Sequence, residues 1–199
     1  MSAYSSQEEL DQLKDWFKNY GSSVIVGVLL GVIIVFGYRY WSQQQEAGRD
    51  AASALYDQML TELQAGKPDA RASGEKLIGE YSSTPYAAMA ALLLARQAHE
   101  AQDKPLARQR LEWALAHAED AATQHAARLR LARLLLDAGE PQGAVALVEV
   151  KDTAGFDAEY QELKGDVAVA QGQPDAARAA YHEALKHLAL VRRMSRLFR

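Results

Sequence analysis

The chain has 199 residues, with 22 Lys or Arg against 26 Asp or Glu and a formal net charge of −4. That length holds one domain of ordinary size besides an anchor, and the acidic balance works against nucleic acid as the main ligand, because phosphates are repelled. Without Cys, neither a disulfide framework nor a thiolate metal site can form. Residues 1–18 read as a short tail of mixed charge. Ser6 and Glu9 have the spacing of a capping box, and Leu10, Leu13 and Phe17 fall on one helical stripe, so a short helix leading into the next segment is predicted.

Residues 19–38, NYGSSVIVGVLLGVIIVFGY, contain no charge and eleven Val, Ile, Leu or Phe. As a helix they measure ~30 Å, about the hydrocarbon thickness of a bilayer. Their apolar side chains favour insertion by about 3 to 7 kcal/mol. Trp16 and Tyr20 mark one edge, and Tyr38, Tyr40 and Trp41 mark the other. A transmembrane helix over residues 19–41 is predicted. A cleaved signal peptide fits poorly, since Glu8, Glu9, Asp11 and Asp15 precede the run and bulky residues follow it. A buried core helix fits less well still, because the rest of the chain is too polar to wrap it. Gly27 and Gly31 have the GxxxG spacing that lets a second helix approach. Flanking charge leaves orientation open: Lys14 and Lys18 lie on one side, Arg39 and Arg49 on the other.

From residue 42 onward, good helix formers dominate and apolar residues recur at three and four. Gly66-Lys67-Pro68, Ser82 to Pro85, Asp103-Lys104-Pro105, Gly139-Glu140-Pro141, Gly155 and Gly172-Gln173-Pro174 separate the runs. Pro shortly after Gly reads as a helix end and a new first turn. Val145 to Val150 looks strand-like but reads better as a short helix after Pro141.

Three segments, 92–115, 129–150 and 163–185, repeat one pattern. Ala95, Ala132 and Gly165 occupy the small site of the first helix. Ala107, Ala144 and Ala177 occupy that of the second, with Leu111, Val148 and Tyr181 four residues later. The spacings of 37 and 33 residues are near the period of a tetratricopeptide repeat. Residues 45–81 read as a fourth, degenerate pair packed by Leu55, Met59, Leu63 and Leu77. The expected fold is all-α: one transmembrane helix, then a tetratricopeptide-like solenoid of about four helix pairs. The domains are then a tail at 1–18, the span at 19–41, the repeats at 42–185 and a basic tail at 186–199. The repeat segment carries a net charge of −8 and the last fourteen residues +5.

The entering segment EELDQLKDWFKNYG (8–21), FGYRYW (36–41), YSSTPYAAMAALLLA (81–95) and YQELKGDVAVAQGQPDAARAAYHEAL (160–185) carry a family resemblance. The chain resembles the YfgM-type ancillary subunit of the bacterial SecYEG translocon, over most of residues 8–185. The resemblance implies an inner-membrane protein with a cytoplasmic amino terminus and periplasmic repeats. It further implies association with the translocon and with the membrane-anchored periplasmic chaperone PpiD. The implied role is handing emerging secreted polypeptides to periplasmic chaperones, with an influence on an envelope stress response. The basic run LKHLALVRRMSRLFR (185–199) departs from the family pattern.

No catalytic constellation is legible. His99, His117, His125, His182 and His187 form no HExxH and read as partly exposed helix residues. No GxSxG or glycine-rich phosphate loop occurs, and no cofactor is expected. The one Asn, Asn19, lies outside the repeats, so the Lys and Asn clamp that captures a peptide carboxyl terminus is unavailable.

Stacked pairs of this kind line their concave face with the first helices. Aligning the repeats puts Leu92, Leu129 and Glu162 at one inward position, Arg96, Arg133 and Asp166 at the next, and His99, Leu136 and Val169 beyond. That groove is apolar and basic in the middle and acidic toward the carboxyl end. It suits a protein partner of mixed charge better than nucleic acid or a metabolite. The leading expectation is a non-enzymatic scaffold tethered to a lipid bilayer. The alternative is a regulator that sequesters an envelope stress-response factor, and a third reading is an accessory enzyme subunit.

Overall fold

The structure, a computed structural model, describes the backbone of residues 3–197 and the side chains of 26–190 except 28 and 44. Among the described residues it holds eight helices and no strand. They are α1 (Ala3–Gln64), α2 (Asp69–Glu80), α3 (Pro85–Glu100), α4 (Lys104–His117), α5 (Ala121–Asp137), α6 (Pro141–Val148), α7 (Asp157–Ala170) and α8 (Pro174–Leu197). The chain divides into two compact units, Met1–Asp50 and Ala51–Arg199.

In the first unit, every described large apolar side chain from Val26 to Phe36 is exposed. Among the described residues, no helix is long and apolar enough to cross a membrane. Positions 19–25 and 28 of the expected span lie outside the described side chains, as does the stripe of Leu10, Leu13 and Phe17.

The second unit is a row of helix pairs. The last turns of α1 pair with α2, α3 with α4, α5 with α6, and α7 with α8. Proline opens α3, α4 and α6 within their first two positions, where its missing N–H is no loss. Asp103 and Asp120 cap α4 and α5, accepting from the backbone N–H of Leu106 at 3.1 Å and of Thr123 at 2.7 Å. The strand-like run at 145–150 is mostly helix, as α6 continues to Val148.

The four turns inside the pairs share one geometry. A residue with positive φ stands at Gly66, Gln102, Gly139 and Gly172. The N–H of the following residue returns to a carbonyl five residues back: Lys67 to Glu62, Asp103 to Ala98, Glu140 to Leu135 and Gln173 to Ala168, at 2.8–2.9 Å. This is a Schellman ending, and it satisfies a carbonyl that the helix leaves open. Three turns use Gly, which adopts the left-handed region freely; Gln102 at φ 61 is the exception. Gln102→Gly should therefore stabilise the body by about 0.5 to 1 kcal/mol, since the strain removed exceeds the added chain entropy. An unchanged or lower urea midpoint in that variant would contradict this.

Small residues set the spacing within the pairs. Ala95, Ala132 and Gly165 of the first helices are buried, as are Ala107, Ala144 and Ala177 of the second. Leu111 and Val148 are buried beside them, and Tyr181 is half-buried. The degenerate first pair packs Met59, Leu77, Leu55 and Leu63 in its own cluster with Ala90 and Leu94 of α3. Its small site is Gly74, where a Cβ would stand 2.9 Å from both Leu94 Cδ1 and Met59 Cε.

Candidate functional site

Small residues turn one side of α3, α5 and α7 toward their partner helices. Two cavities open along these helices, and the first reaches the small residues Ala95 of α3 and Ala107 of α4. The first, of 310 Å³, lies between α3, α4 and α5. Leu92, Arg96 and His99 of α3 and Arg130, Arg133 and Asp137 of α5 line it. The second, of 380 Å³, lies between α5, α7 and α8, with Arg133, Leu136, Asp166, Val169 and Tyr181 in its wall. Arg133 and Asp137 border both cavities, so the two form neighbouring parts of one face.

Of the nine expected groove residues, seven line one cavity or both. Glu162 lines neither; it is exposed, and its carboxylate lies 3.9 Å from the Arg133 guanidinium. Leu129 departs from the expectation: at 4% exposure it belongs to the core. Leu129 and Arg133 lie one turn apart on the same side of α5, but Leu129 is covered by the core around it while the Arg133 side chain is exposed. Arg130, Asp137 and Tyr181 line the face without having been picked out for it. The repeat alignment selects one residue per turn, whereas the first cavity spans enough of α5 to reach both Arg130 and Arg133.

The electrostatics differ between the cavities. Arg96 donates to Glu100 at 2.7 Å one turn away on α3. The first cavity thus has three guanidinium groups on its rim, against one lining carboxylate, Asp137. In the second, Tyr181 Oη donates to Asp166 Oδ1 at 2.7 Å. That hydrogen bond, with desolvation and the charge of Asp166, pushes the phenol up to about 12. Tyr181 therefore keeps its proton, and remains a donor to Asp166, across the neutral range.

Four of the five His residues are exposed or half-exposed, but His125 is buried. Its Nδ1 lies 2.7 Å from Tyr160 Oη, and its ring stacks on Phe156 at 5.8 Å. Burial pushes the Tyr160 phenol up, while Arg128 pulls the other way. This pair joins α5 to α7 inside the core and lines neither of the two cavities. Among the described residues no group of His and carboxylates could hold a metal. The face offers charge, hydrogen bonds and apolar seats, the means of recognising a protein segment. In the first unit, a Cβ added to Gly27 or Gly31 would meet nothing within 4 Å, so both leave open surface.

A family model described as a tetratricopeptide repeat-like domain matches residues 14–197. A Haemophilus influenzae protein named Ancillary SecYEG translocon subunit is 34% identical over 184 residues, covering 92% of this chain and 90% of that protein. The chain belongs to the family of ancillary SecYEG translocon subunits. The Escherichia coli protein of the same name is 29% identical over 187 residues, covering 94% of this chain and 90% of its own. That of Neisseria gonorrhoeae is 28% identical over 184 residues, covering 92% and 88%. No solved structure gives a significant match. The match to tetratricopeptide repeats agrees with the four helix pairs and their recurring small residues. Family membership agrees with the resemblance carried by the segments from 8 to 185.

Proposed function

We propose that this protein is a non-enzymatic scaffold at the Sec translocon, held in the inner membrane by a single helix over residues 19–41. Its tail, 1–18, is cytoplasmic. Its repeats, 42–185, stand in the periplasm, where the face of α3, α5 and α7 binds segments of partner proteins. The observation that carries the reading is membership of a family whose named proteins are ancillary SecYEG subunits. The exposure of every described large apolar side chain from Val26 to Phe36 supports the anchor, since water does not stabilise such a surface. Tethering raises the local concentration of the groove for neighbours in the same membrane. The partners of this reading are SecYEG, the chaperone PpiD and translocating polypeptides on their way to periplasmic chaperones. The open surface at Gly27 and Gly31 suits packing against a second membrane helix.

Two experiments test it. A compartment-specific reporter fused after residue 199 should be active only in the periplasm; activity only in the cytoplasm would favour a regulator of a cytosolic factor instead. The double variant Arg96→Glu and Arg133→Glu reverses two exposed charges without emptying the core. It should remain inserted and helical while its crosslinking to translocon and chaperone falls by about tenfold, the effect of ~1.4 kcal/mol. Wild-type crosslinking in that variant would remove the groove from the reading.

A further inference from the structure

We propose that the cavity between α3 and α5 seats one large apolar side chain of a partner segment, and that Arg130 selects segments carrying a carboxylate beside that side chain. This rests on the groove reading above and names what the groove recognises.

The floor of the cavity is apolar, built from Leu92, Ala95, Leu111 and Leu134. Its 310 Å³ stands at the small end of ligand pockets, enough for an anchoring side chain and too little for a large cofactor. The rim is cationic, in a repeat segment whose net charge is −8. The three arginines are not equivalent. Arg96 is neutralised by Glu100 at 2.7 Å, and Arg133 faces Glu162 at 3.9 Å. Arg130 is exposed, and among the described residues it has no carboxylate within ion-pair distance. The lining carboxylate, Asp137, has a cation nearby, because Lys104 Nζ donates to its backbone carbonyl at 3.0 Å. The unspent charge of the rim is therefore positive and centred on Arg130. A planar guanidinium accommodates a carboxylate through two parallel hydrogen bonds, which neither an amide nor an ammonium on the partner can match. An apolar seat beside one such group reads two adjacent side chains of a segment: an anchor and an acid.

The test is fluorescence anisotropy with the full chain in a neutral detergent. The probes are a labelled Gly/Ser-rich peptide with one central Phe-Glu pair and its Phe-Gln and Ala-Glu twins. The Phe-Glu peptide should bind about tenfold more tightly than either twin. Arg130→Gln should abolish the preference for Glu over Gln while leaving Phe-Gln binding unchanged. Arg178→Gln, which removes an exposed, already paired charge outside both cavities, should keep that preference. Circular dichroism checks that both exposed substitutions leave the helices intact. Equal binding of Phe-Glu and Phe-Gln, or a preference that survives Arg130→Gln, overturns the inference and leaves the scaffold reading standing. Failure of all three peptides to bind, together with wild-type crosslinking in the Arg96→Glu, Arg133→Glu variant, removes the groove itself.

Discussion

Replacing Tyr160 by Ala is expected to destabilise the repeat body by about 3 to 5 kcal/mol, as for other large buried aromatic side chains. Tyr160 is 1% exposed and is among the largest fully buried side chains. Its ring meets the His125 ring edge-on at 5.6 Å, and its hydroxyl lies 2.7 Å from His125 Nδ1. Truncation opens a cavity between α5 and α7 and leaves a buried imidazole nitrogen without its partner. Tyr160→Phe separates the two effects. It keeps the ring and removes the hydroxyl, so it should lose about 1 to 3 kcal/mol, the desolvation cost of the orphaned nitrogen. Urea unfolding followed by the helical circular dichroism signal measures both. A Phe variant as unstable as the Ala variant would mean that the hydrogen bond, not the packing, dominates.

Gly165→Ala should cost about 1 to 3 kcal/mol, although it improves helix propensity and would stabilise an exposed site. A Cβ at Gly165 would stand 2.6 Å from Tyr181 Cδ1 and 2.8 Å from its Cζ. The ring must move, and moving it strains the 2.7 Å hydrogen bond to Asp166. Combining Gly165→Ala with Tyr181→Ala tests the cause. The two losses should then fall short of additive by more than ~0.5 kcal/mol, because the second substitution removes the obstruction. Strict additivity would move the origin of the loss away from Tyr181. Since Tyr181 also walls the second cavity, the single variant should disturb that end of the groove while sparing the end at Arg96.

The period of the repeat, the positions of its turns and its buried small residues were legible because they are local or recur at fixed offsets. Ala107, Ala144 and Ala177 can be aligned by eye, and Gly-x-Pro marks three of the four turns. The fourth was legible only in part. Asp103-Lys104-Pro105 announces the new helix, but nothing in the residue type says that Gln102 takes a positive φ. The Schellman bond from Asp103 to Ala98 holds it there, and that bond belongs to the folded turn.

The burial of His125 was not legible either. The sequence treats it like the other four His residues, and its partner Tyr160 lies 35 residues away in another repeat. The groove divides along the same line. Repeat spacing alone brought Arg96, Arg133 and Asp166 to one face, because a periodic stack carries equivalent positions to equivalent places. It could not separate Leu129, which sinks into the core, from Leu92, which lines a cavity, since both occupy the same aligned position. Nor could it pick out Arg130 or distinguish a paired guanidinium from an unpaired one. Helical periodicity, breakers and the small-residue register thus determined the architecture from the sequence by itself. Tertiary packing alone decided which side chains of a given register are covered, and which charges are already matched, because both depend on neighbours from other helices.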